Sequence, residues 1–294
     1  MKDYIITVES SIDLNADLVN KYQINYINNI YYLDEVEHHD NLKDNLQASR
    51  FYEQLEEGKN PKTTQINSER FYNFFLKYLK EDKNIIHLSF SSGLSGTYEQ
   101  ALAAKKLLED EYKDNEIIII DTLAASSGYG LLFTKAYELK EEGLSMALLE
   151  KELNNIKLNL NHWFYSTDLT YYIKGGRVTK AEGFIGKTLN ICPILNVNDL
   201  GKLIPRQKVI GKKRVLKRMI NVINKNIKDG YLYNDYIYIS HSNMLDDVIT
   251  LKEELLLTYP NIKDIVINDV GPFIGSHTGP GTVAIFFYGS KREE

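Results

Sequence analysis

Short apolar runs alternate with helix-patterned segments in the first half of the chain, and this alternation limits the possible folds more than any other feature. The apolar run at residues 84–90 is followed by apolar positions at helical spacing over residues 98–112. A second run, over residues 116–121, is too short and too rich in isoleucine for a surface helix, and a helical pattern over residues 127–141 follows it. Strand, helix, strand and helix in this order predict parallel βαβ units with right-handed crossovers.

The second half of the 294-residue chain shows the same kind of alternation from about residue 161 onward. Strand-like runs lie at residues 162–167, 235–240, 262–268 and 282–288, and helical patterns lie at residues 212–228 and 244–257. We therefore predict two α/β domains, an N-terminal one over residues 1–160 and a C-terminal one over residues 161–294.

Composition and charge restrict the function classes. The net charge of −5 argues against nucleic-acid binding by bulk charge, because such binding needs a dominant positive field. No window approaches the ~18–20 uninterrupted apolar residues of a membrane span, and residues 1–6 lack the apolar core of an export signal. The single cysteine, Cys192, forms no intramolecular disulfide and is typical of a reducing compartment. The sequence thus predicts a cytoplasmic protein without an integral membrane segment, and it contains no residue spacing typical of a metal or cofactor site.

A hydroxyl-rich segment lies between the strand-like run at residues 84–90 and the helix that begins near Thr97. Over six positions it contains three serines and two glycines: Ser91, Ser92, Gly93, Ser95 and Gly96. In a parallel sheet this is the carboxyl end of a strand, where ligands bind, and a helix N-terminus favours an anion. The other interpretation is that serine and glycine only cap the helix. Composition alone leaves both interpretations open.

Two further segments combine glycines with polar side chains. Residues 121–130 repeat the pattern after the next strand and include Ser126, but here helix capping and tight packing are the favoured interpretation. The pair Gly175 and Gly176 before Arg177 predicts an unusual backbone. Arg177 fits either a contact with an anion or another domain, or a surface turn, and the spacing does not distinguish these alternatives.

The segment over residues 271–281 contains four glycines and two prolines, which predicts a shaped loop rather than a regular element. His277 lies in its middle, between Ser276 and Thr278, and is a candidate ligand contact. Residues 93–97 resemble the nucleophile elbow of esterases, although the last glycine stands one place early. A serine hydrolase that uses Ser95 and His277 is therefore the alternative function, without an acidic residue assigned to orient the histidine.

Residues 206–218 form a basic segment without an acidic residue. Its cationic side chains are those of Arg206, Lys208, Lys212, Lys213, Arg214, Lys217 and Arg218. A solvated helix face explains such a segment in an otherwise acidic protein. The more specific interpretation is a docking surface for a phosphate or an acidic partner.

Seven segments, in order, resemble motifs of the DegV family of bacterial fatty-acid-binding proteins. They are residues 9–14, the Thr63-Thr64-Gln65 segment after Pro61, and residues 91–98, 121–132, 173–178, 186–195 and 271–281. The resemblance runs over nearly the whole chain. It departs from the family pattern at Glu9, where aspartate is usual, at Thr64 and Ile66, and at Ile210, which replaces an arginine associated with kinase use.

The resemblance implies a DegV-like fold of two α/β domains, with parallel and mixed sheets flanked by helices and a lipid tunnel near the domain junction. It also implies a long-chain fatty acid whose carboxylate is held by Thr63 and Ser95, near His277. The supporting positions are Thr64, Ser91, Ser92, Gly93, Gly96, Ser126, Arg177, Ser276 and Thr278. No residue is expected to be catalytic, because some family members present the acyl carboxyl to a separate kinase subunit that makes the acyl phosphate. The docking positions for such a partner are Arg206, Lys208, Lys212, Lys213 and Arg214.

Overall fold

The computed structural model describes residues 2–179 and 191–293, so the first part of the motif at residues 186–195 lies outside the described residues. The strands, in chain order, are β1 (Tyr4–Glu9), β2 (Asn25–Ile27), β3 (Ile30–Leu33), β4 (Val36–His39), β5 (Pro61–Thr64), β6 (Asn84–Ser89), β7 (Ile117–Asp121), β8 (Leu160–Ser166), β9 (Ile191–Val197), β10 (Leu203–Ile210), β11 (Tyr236–His241), β12 (Asp264–Asp269) and β13 (Thr282–Tyr288). The helices are α1 (Ala16–Lys21), α2 (Gln47–Glu56), α3 (Ser68–Leu79), α4 (Thr97–Glu109), α5 (Ser126–Glu141), α6 (Met146–Ile156), α7 (Thr170–Lys174), α8 (Lys212–Asn226), α9 (Leu245–Thr258) and α10 (Pro272–Thr278). Short 3₁₀ turns lie at Ser10–Ile12, Lys157–Asn159 and Gly230–Leu232.

Within the described ranges these strands form three sheets. The first, in the order β2-β1-β6-β7, is entirely parallel. The second, in the order β10-β9-β8-β13-β11-β12, is mixed, because β11 and β12 run parallel and the other neighbours antiparallel. The third, in the order β4-β3-β5, is antiparallel. The predicted fold class, α/β with parallel and mixed sheets flanked by helices, is confirmed, whereas no sequence pattern predicts the small third sheet.

The predicted alternation of strands and helices is confirmed in β6, α4, β7 and α5. β6 pairs in parallel with β7, and apolar side chains of both strands, such as Leu88 and Ile120, are buried. α5 then packs against β8, β11 and β13 of the second sheet. On its other side the Tyr129 hydroxyl donates to the Leu88 carbonyl of β6, so α5 lies between the two large sheets. All strands of the second sheet lie at or after Leu160. A division into domains at residues 160 and 161 stays a prediction.

One glycine of α5 explains how closely this helix approaches the second sheet. A Cβ atom at Gly128 would lie 2.4 Å from Nε2 of His162 and 2.5 Å from Cδ1 of Phe286. Only a residue without a side chain fits there. The predicted tight packing of residues 121–130 is thereby confirmed at Gly128, whereas the predicted helix capping is wrong, because the N-cap residue is Ala125 and no side chain in the described ranges caps α5.

The prediction of an irregular loop over residues 271–281 is wrong, because this segment contains α10. Pro272 occupies the first helical position, where its missing N–H is not needed. Gly279, with a φ of 65°, follows the last helical residue. Pro272 and Gly279 therefore mark the ends of a short helix, and this helix carries His277.

Candidate functional site

An apolar cavity lies between the β6–α4 loop, α10 and the second sheet. Its floor belongs to two adjacent strands, since Ala284 and Phe286 of β13 pair with Phe164 and His162 of β8. These four side chains share one face of the sheet because alternate residues of a strand point to the same side. Other apolar wall residues are Phe90, Leu94, Val197, Leu203, Phe273 and Ile274. The cavity volume is about 90 Å³.

A polar cleft adjoins the cavity. It is lined by hydroxyl and basic side chains, namely Lys62, Thr63, Thr64, Ser92, Ser95, Lys174, Arg177 and Ser276. The cavity and the cleft share five lining residues, which we call the rim: Leu94, Ser95, Arg177, Phe273 and His277. This arrangement suits a molecule with a long apolar part and an anionic end, because the apolar part is buried while the anion reaches hydroxyls and a cation.

Ser95 lies at the rim, directly before Gly96, which is the N-cap residue of α4. Its Oγ is 2.9 Å from Oγ1 of Thr97 and accepts a hydrogen bond from the Thr97 backbone N–H at 3.3 Å. Gly96 leaves room for the Gln65 side chain, whose Oε1 would lie 2.6 Å from a Cβ atom at position 96. Ser95 therefore lies beside the cavity and bonds to the first residue of α4, whereas no side chain among the described residues caps this helix.

Ser91, Ser92 and Gly93 hold the β6–α4 loop in place. The buried Ser91 donates from Oγ to a carbonyl of the β9–β10 turn at 2.9 Å. A Cβ atom at Gly93 would lie 2.3 Å from another carbonyl oxygen of that turn. Ser92 lines the cleft and donates to Oδ2 of Asp121 at 2.5 Å. We therefore assign Ser91 and Gly93 to loop packing rather than to ligand contact.

His277 and Thr63 meet beside the rim, although 214 positions separate them in the chain. Oγ1 of Thr63, on β5, is 2.7 Å from Nε2 of His277, on α10. Among the described residues, the buried Nδ1 of His277 has no hydrogen-bond partner. Burial, with a smaller contribution from the charge of Arg177, lowers the pKa of His277 to about 4. The imidazole is therefore neutral at neutral pH.

Arg177 provides a positive charge at the rim. Its Nη1 donates to the carbonyl of Gly175, and burial lowers the pKa of the guanidinium from its ordinary value, although it stays charged at neutral pH. Gly175 lies against the His277 ring, because a Cβ atom at position 175 would be 2.5 Å from Nδ1 of His277. Gly176 has a φ of 72°, in the left-handed region. The unusual backbone predicted before Arg177 is confirmed, and Arg177 lines the cavity and the cleft.

Four further predicted positions divide between the two spaces. Thr64 and Ser276 line the cleft, whereas Ser126 and Thr278 line the cavity. Ser276 and Thr278 donate to helix carbonyls one turn earlier, at 2.8 and 3.3 Å, and Ser126 donates to Asp13 at 2.5 Å. Because these hydroxyl protons are already bonded within the protein, the cavity wall stays apolar in character.

The hydrolase alternative lacks the required hydrogen bonds. A serine nucleophile needs a histidine base within hydrogen-bond reach, and the base needs a group that orients it. Here Ser95 bonds to Thr97, and Nε2 of His277 bonds to Thr63. In the part of the chain that the structure describes, no carboxylate bonds to the other ring nitrogen of His277. The site therefore does not favour a hydrolase.

The basic segment at residues 206–218 spans β10 and the start of α8. Nζ of Lys212 is 2.7 Å from Oδ1 of the buried Asp247, so this lysine ties α8 to α9. The Lys212 side chain is nevertheless 56% exposed, so its assignment to a docking surface stays a prediction. The other cationic side chains of the segment are exposed: Arg206, Lys208, Lys213, Arg214, Lys217 and Arg218.

Buried carboxylates behind the site are functional candidates that sequence reasoning missed. Glu9 accepts a hydrogen bond from the Phe90 N–H at 2.9 Å and so fixes the end of β6. Asp13 accepts one from the Gly271 N–H at 3.1 Å, next to α10. Burial raises the pKa of Asp40 to about 7, and burial together with Asp40 raises the pKa of Asp13 well above its usual range. Glu9 and Asp13 lie in the family-like motif at residues 9–14, whereas Asp40 had no signal in the sequence.

Residues 4–290 match the family model described as "Uncharacterised protein, DegV family". The chain belongs to the DegV family. A DegV domain-containing protein of Clostridium perfringens is 39% identical over 293 residues, which is 100% of both chains. A fatty acid-binding protein of Thermotoga maritima is 31% identical over 282 residues, which is 95% of both chains.

Solved structures of DegV proteins share the whole fold. The crystal structure of a DegV lipid binding protein of Thermotoga maritima matches with a TM-score of 0.86 and 30% identity over 100% of both chains. A second Thermotoga maritima protein, whose structure is said to reveal a fatty acid binding function, matches with a TM-score of 0.85 and 28% identity over 99% of this chain and 100% of that one. The DegV-like fold implied by the sequence motifs is therefore confirmed.

Neither a membrane-spanning helix nor a cluster of metal-binding side chains is found over residues 2–179 and 191–293. Helices in these ranges are all too short or too polar to cross a bilayer. The same ranges hold no group of three or more His, Cys, Asp or Glu side chains arranged for a metal ion.

Proposed function

We propose that this protein binds a long-chain fatty acid, with the acyl tail in the cavity and the carboxylate at the rim beside Thr63, Ser95 and His277. One observation carries the proposal: an apolar cavity opens through the rim into a cleft lined by hydroxyl and basic side chains. The names of the Thermotoga maritima relatives, as lipid or fatty acid binding proteins, support it.

The tail supplies most of the affinity. A palmitate-sized tail buries about fourteen methylenes at roughly 0.8 kcal/mol each, an upper limit of ~11 kcal/mol. Lost translational freedom and chain entropy offset several kcal/mol of this. The contacts of the carboxylate need only replace its hydration, which hydrogen-bond donors and one cation can do without a tight ion pair.

The hydrogen bonds at the rim are compatible with donation to a carboxylate. When Nε2–H of the neutral His277 donates to Oγ1 of Thr63, the threonine hydroxyl proton is left to donate to the ligand. The Ser95 hydroxyl provides a second donor, and Arg177 adds a positive charge. Thr64, Ser92, Gly96 and Ser276 then complete the polar surroundings of the carboxylate.

Native mass spectrometry of the purified protein tests this function. We expect a fatty acid of long chain length to leave the protein on collisional activation, and we expect the delipidated protein to bind palmitate or oleate. A protein that carries no lipid and has no affinity for either acid contradicts the proposal. An activated fluorophosphonate distinguishes the hydrolase alternative, because stable labelling of Ser95 requires an activated nucleophile.

We also propose that the protein presents the bound carboxyl to a separate kinase subunit, through the exposed basic segment. Lys213 and Arg214 lie on the first turn of α8, and the segment carries no acidic residue, so it suits an acidic partner. Ile210, which is 59% exposed, stands beside them where an arginine is usual in the family. A cytoplasmic location, inferred from the single cysteine, stays a prediction.

Charge reversal tests the kinase proposal. The double variant Lys213→Glu/Arg214→Glu should abolish acyl phosphate formation with the cognate kinase subunit and leave fatty acid affinity unchanged. Lys225→Glu, at the other end of α8, is the matched control and should retain phosphoryl transfer. Undiminished transfer in the double variant contradicts docking at this segment.

A further inference from the structure

The residues that follow β13 run back along the 3₁₀ turn Lys157–Asn159. The N–H of Gly289 donates to the carbonyl of Asn159, and the N–H of Arg292 donates to the carbonyl of Leu158, both at 2.8 Å. These backbone bonds fix the position of Arg292, whose side chain is only 5% exposed.

The guanidinium of Arg292 reaches a loop that lines the cavity. Its Nη1 donates to the carbonyl of Leu123 at 2.9 Å and its Nη2 to the carbonyl of Lys157 at 3.2 Å. Leu123 belongs to the β7–α5 loop, residues 122–125, which connects β7 with α5. Burial lowers the pKa of Arg292 to about 10, while Asp199 and Asp121 act in the opposite direction, so the guanidinium is charged at neutral pH.

The β7–α5 loop is strained and bears directly on the proposed lipid site. Leu123 in this loop and Ser126, the first residue of α5 directly after it, both have a φ of 51°, in the left-handed region that L residues rarely adopt. Ala125 and Ser126 line the cavity, and the carbonyl of Ala124 accepts a hydrogen bond from the N–H of Ser91 at 3.1 Å. A strained loop persists only where its surroundings hold it, and a charged donor on the Leu123 carbonyl is one such support.

We propose that Arg292 is a positioning residue for lipid binding: by holding the Leu123 carbonyl, it keeps the β7–α5 loop against the cavity and slows the departure of the bound fatty acid. The proposal rests on the proposed lipid-binding function. Arg292 itself does not line the cavity. Its effect on the ligand is transmitted through the loop.

Displacement kinetics test the effect on the ligand. The fluorescent fatty acid cis-parinaric acid is loaded into the protein and displaced with excess oleate in a stopped-flow instrument. We expect about tenfold faster dissociation in Arg292→Ala, because a hydrogen bond from a charged donor is lost. Arg292→Lys keeps the charge but reaches fewer acceptors, so an intermediate rate is expected. Lys291→Ala, exposed on the same tail, is the matched control and should dissociate at the wild-type rate.

Hydrogen exchange without lipid tests the loop itself. In Arg292→Ala, the amides of residues 123–128 should exchange faster, while those of α9 and β12 keep their wild-type rates. Uniform acceleration over the molecule, or an unchanged dissociation rate in a folded variant, overturns the proposal. If Arg292→Ala does not fold, the same two criteria apply to Arg292→Lys. A wild-type protein that binds no fatty acid refutes the proposed function alone, because local exchange still reports whether Arg292 holds the loop.

Discussion

Filling the floor of the cavity should shorten the acyl chain that the protein prefers. Ala284 lies on β13 between Thr282 and Phe286 and lines the cavity together with them. Leucine at this position adds about three carbon atoms to the space where we propose that the tail lies. Each methylene that no longer fits loses roughly 0.8 kcal/mol, so Ala284→Leu should weaken binding of the longest chains by about 2.4 kcal/mol, or about 60-fold.

The assay is a series of dissociation constants for saturated fatty acids of increasing length. In the wild type, each added methylene should strengthen binding about fourfold until the cavity is full. In Ala284→Leu, this gain should stop about three carbons earlier, while the shortest acids bind as they do to the wild type.

Ala103→Leu, on the exposed face of α4, adds the same atoms outside the cavity and serves as the matched control. It should leave the chain-length series unchanged. If Ala284→Leu folds normally and binds the longest acids with wild-type affinity, the tail does not lie over β13 and β8, and the proposed orientation of the ligand is refuted.

Three further predictions concern the polar groups. Ser95→Ala should weaken fatty acid binding by about 1–2 kcal/mol, the value of one hydrogen bond to a charged acceptor; an unchanged dissociation constant in titration calorimetry removes Ser95 from the site. The raised pKa of Asp40 means that the folded state loses stability as the pH rises from about 4 to about 7; Asp40→Asn should reduce this loss in denaturant unfolding across that range, and the buried Asp13 should account for part of what is left. The lowered pKa of His277 means that the unfolded state takes up its proton first, so stability falls as the pH drops from about 6.5 to about 4; His277→Gln should reduce this fall.

Six of the ten strands that the structure describes in the two large sheets, and several helices packed against them, were predictable because their signals are local, whereas β1, β2, β9 and β10 were not predicted. The apolar runs that became β6 and β7 and the helical patterns that became α4 and α5 are continuous in the sequence. Periodicity within a window is sufficient to recognise them. The carboxyl end of β6 could likewise be recognised as a place for a ligand, because it is followed by serines and glycines at the start of a helix.

Contacts between distant segments have no local signal, and the proximity of Thr63 to His277 was expected only from the family resemblance. β5, which carries Thr63, has only four residues and no alternation of apolar side chains, so nothing local marks it as a strand. It forms only because it pairs with β3, and that pairing brings Thr63 to His277. α10 was missed for a different reason: its prolines and glycines are typical of loops, and only their positions at the two ends of the segment indicate a helix.

The rim draws Leu94 and Ser95 from the first half of the chain and Arg177, Phe273 and His277 from the second. A protein expressed as two separate polypeptides, divided near residue 160, would therefore have a complete rim only after the two polypeptides reassociate. Ligand capture by such a split protein would rise with the concentration of both pieces, as expected for any site assembled by mass action. The amount of bound fatty acid would therefore report how much of the two fragments has reassociated.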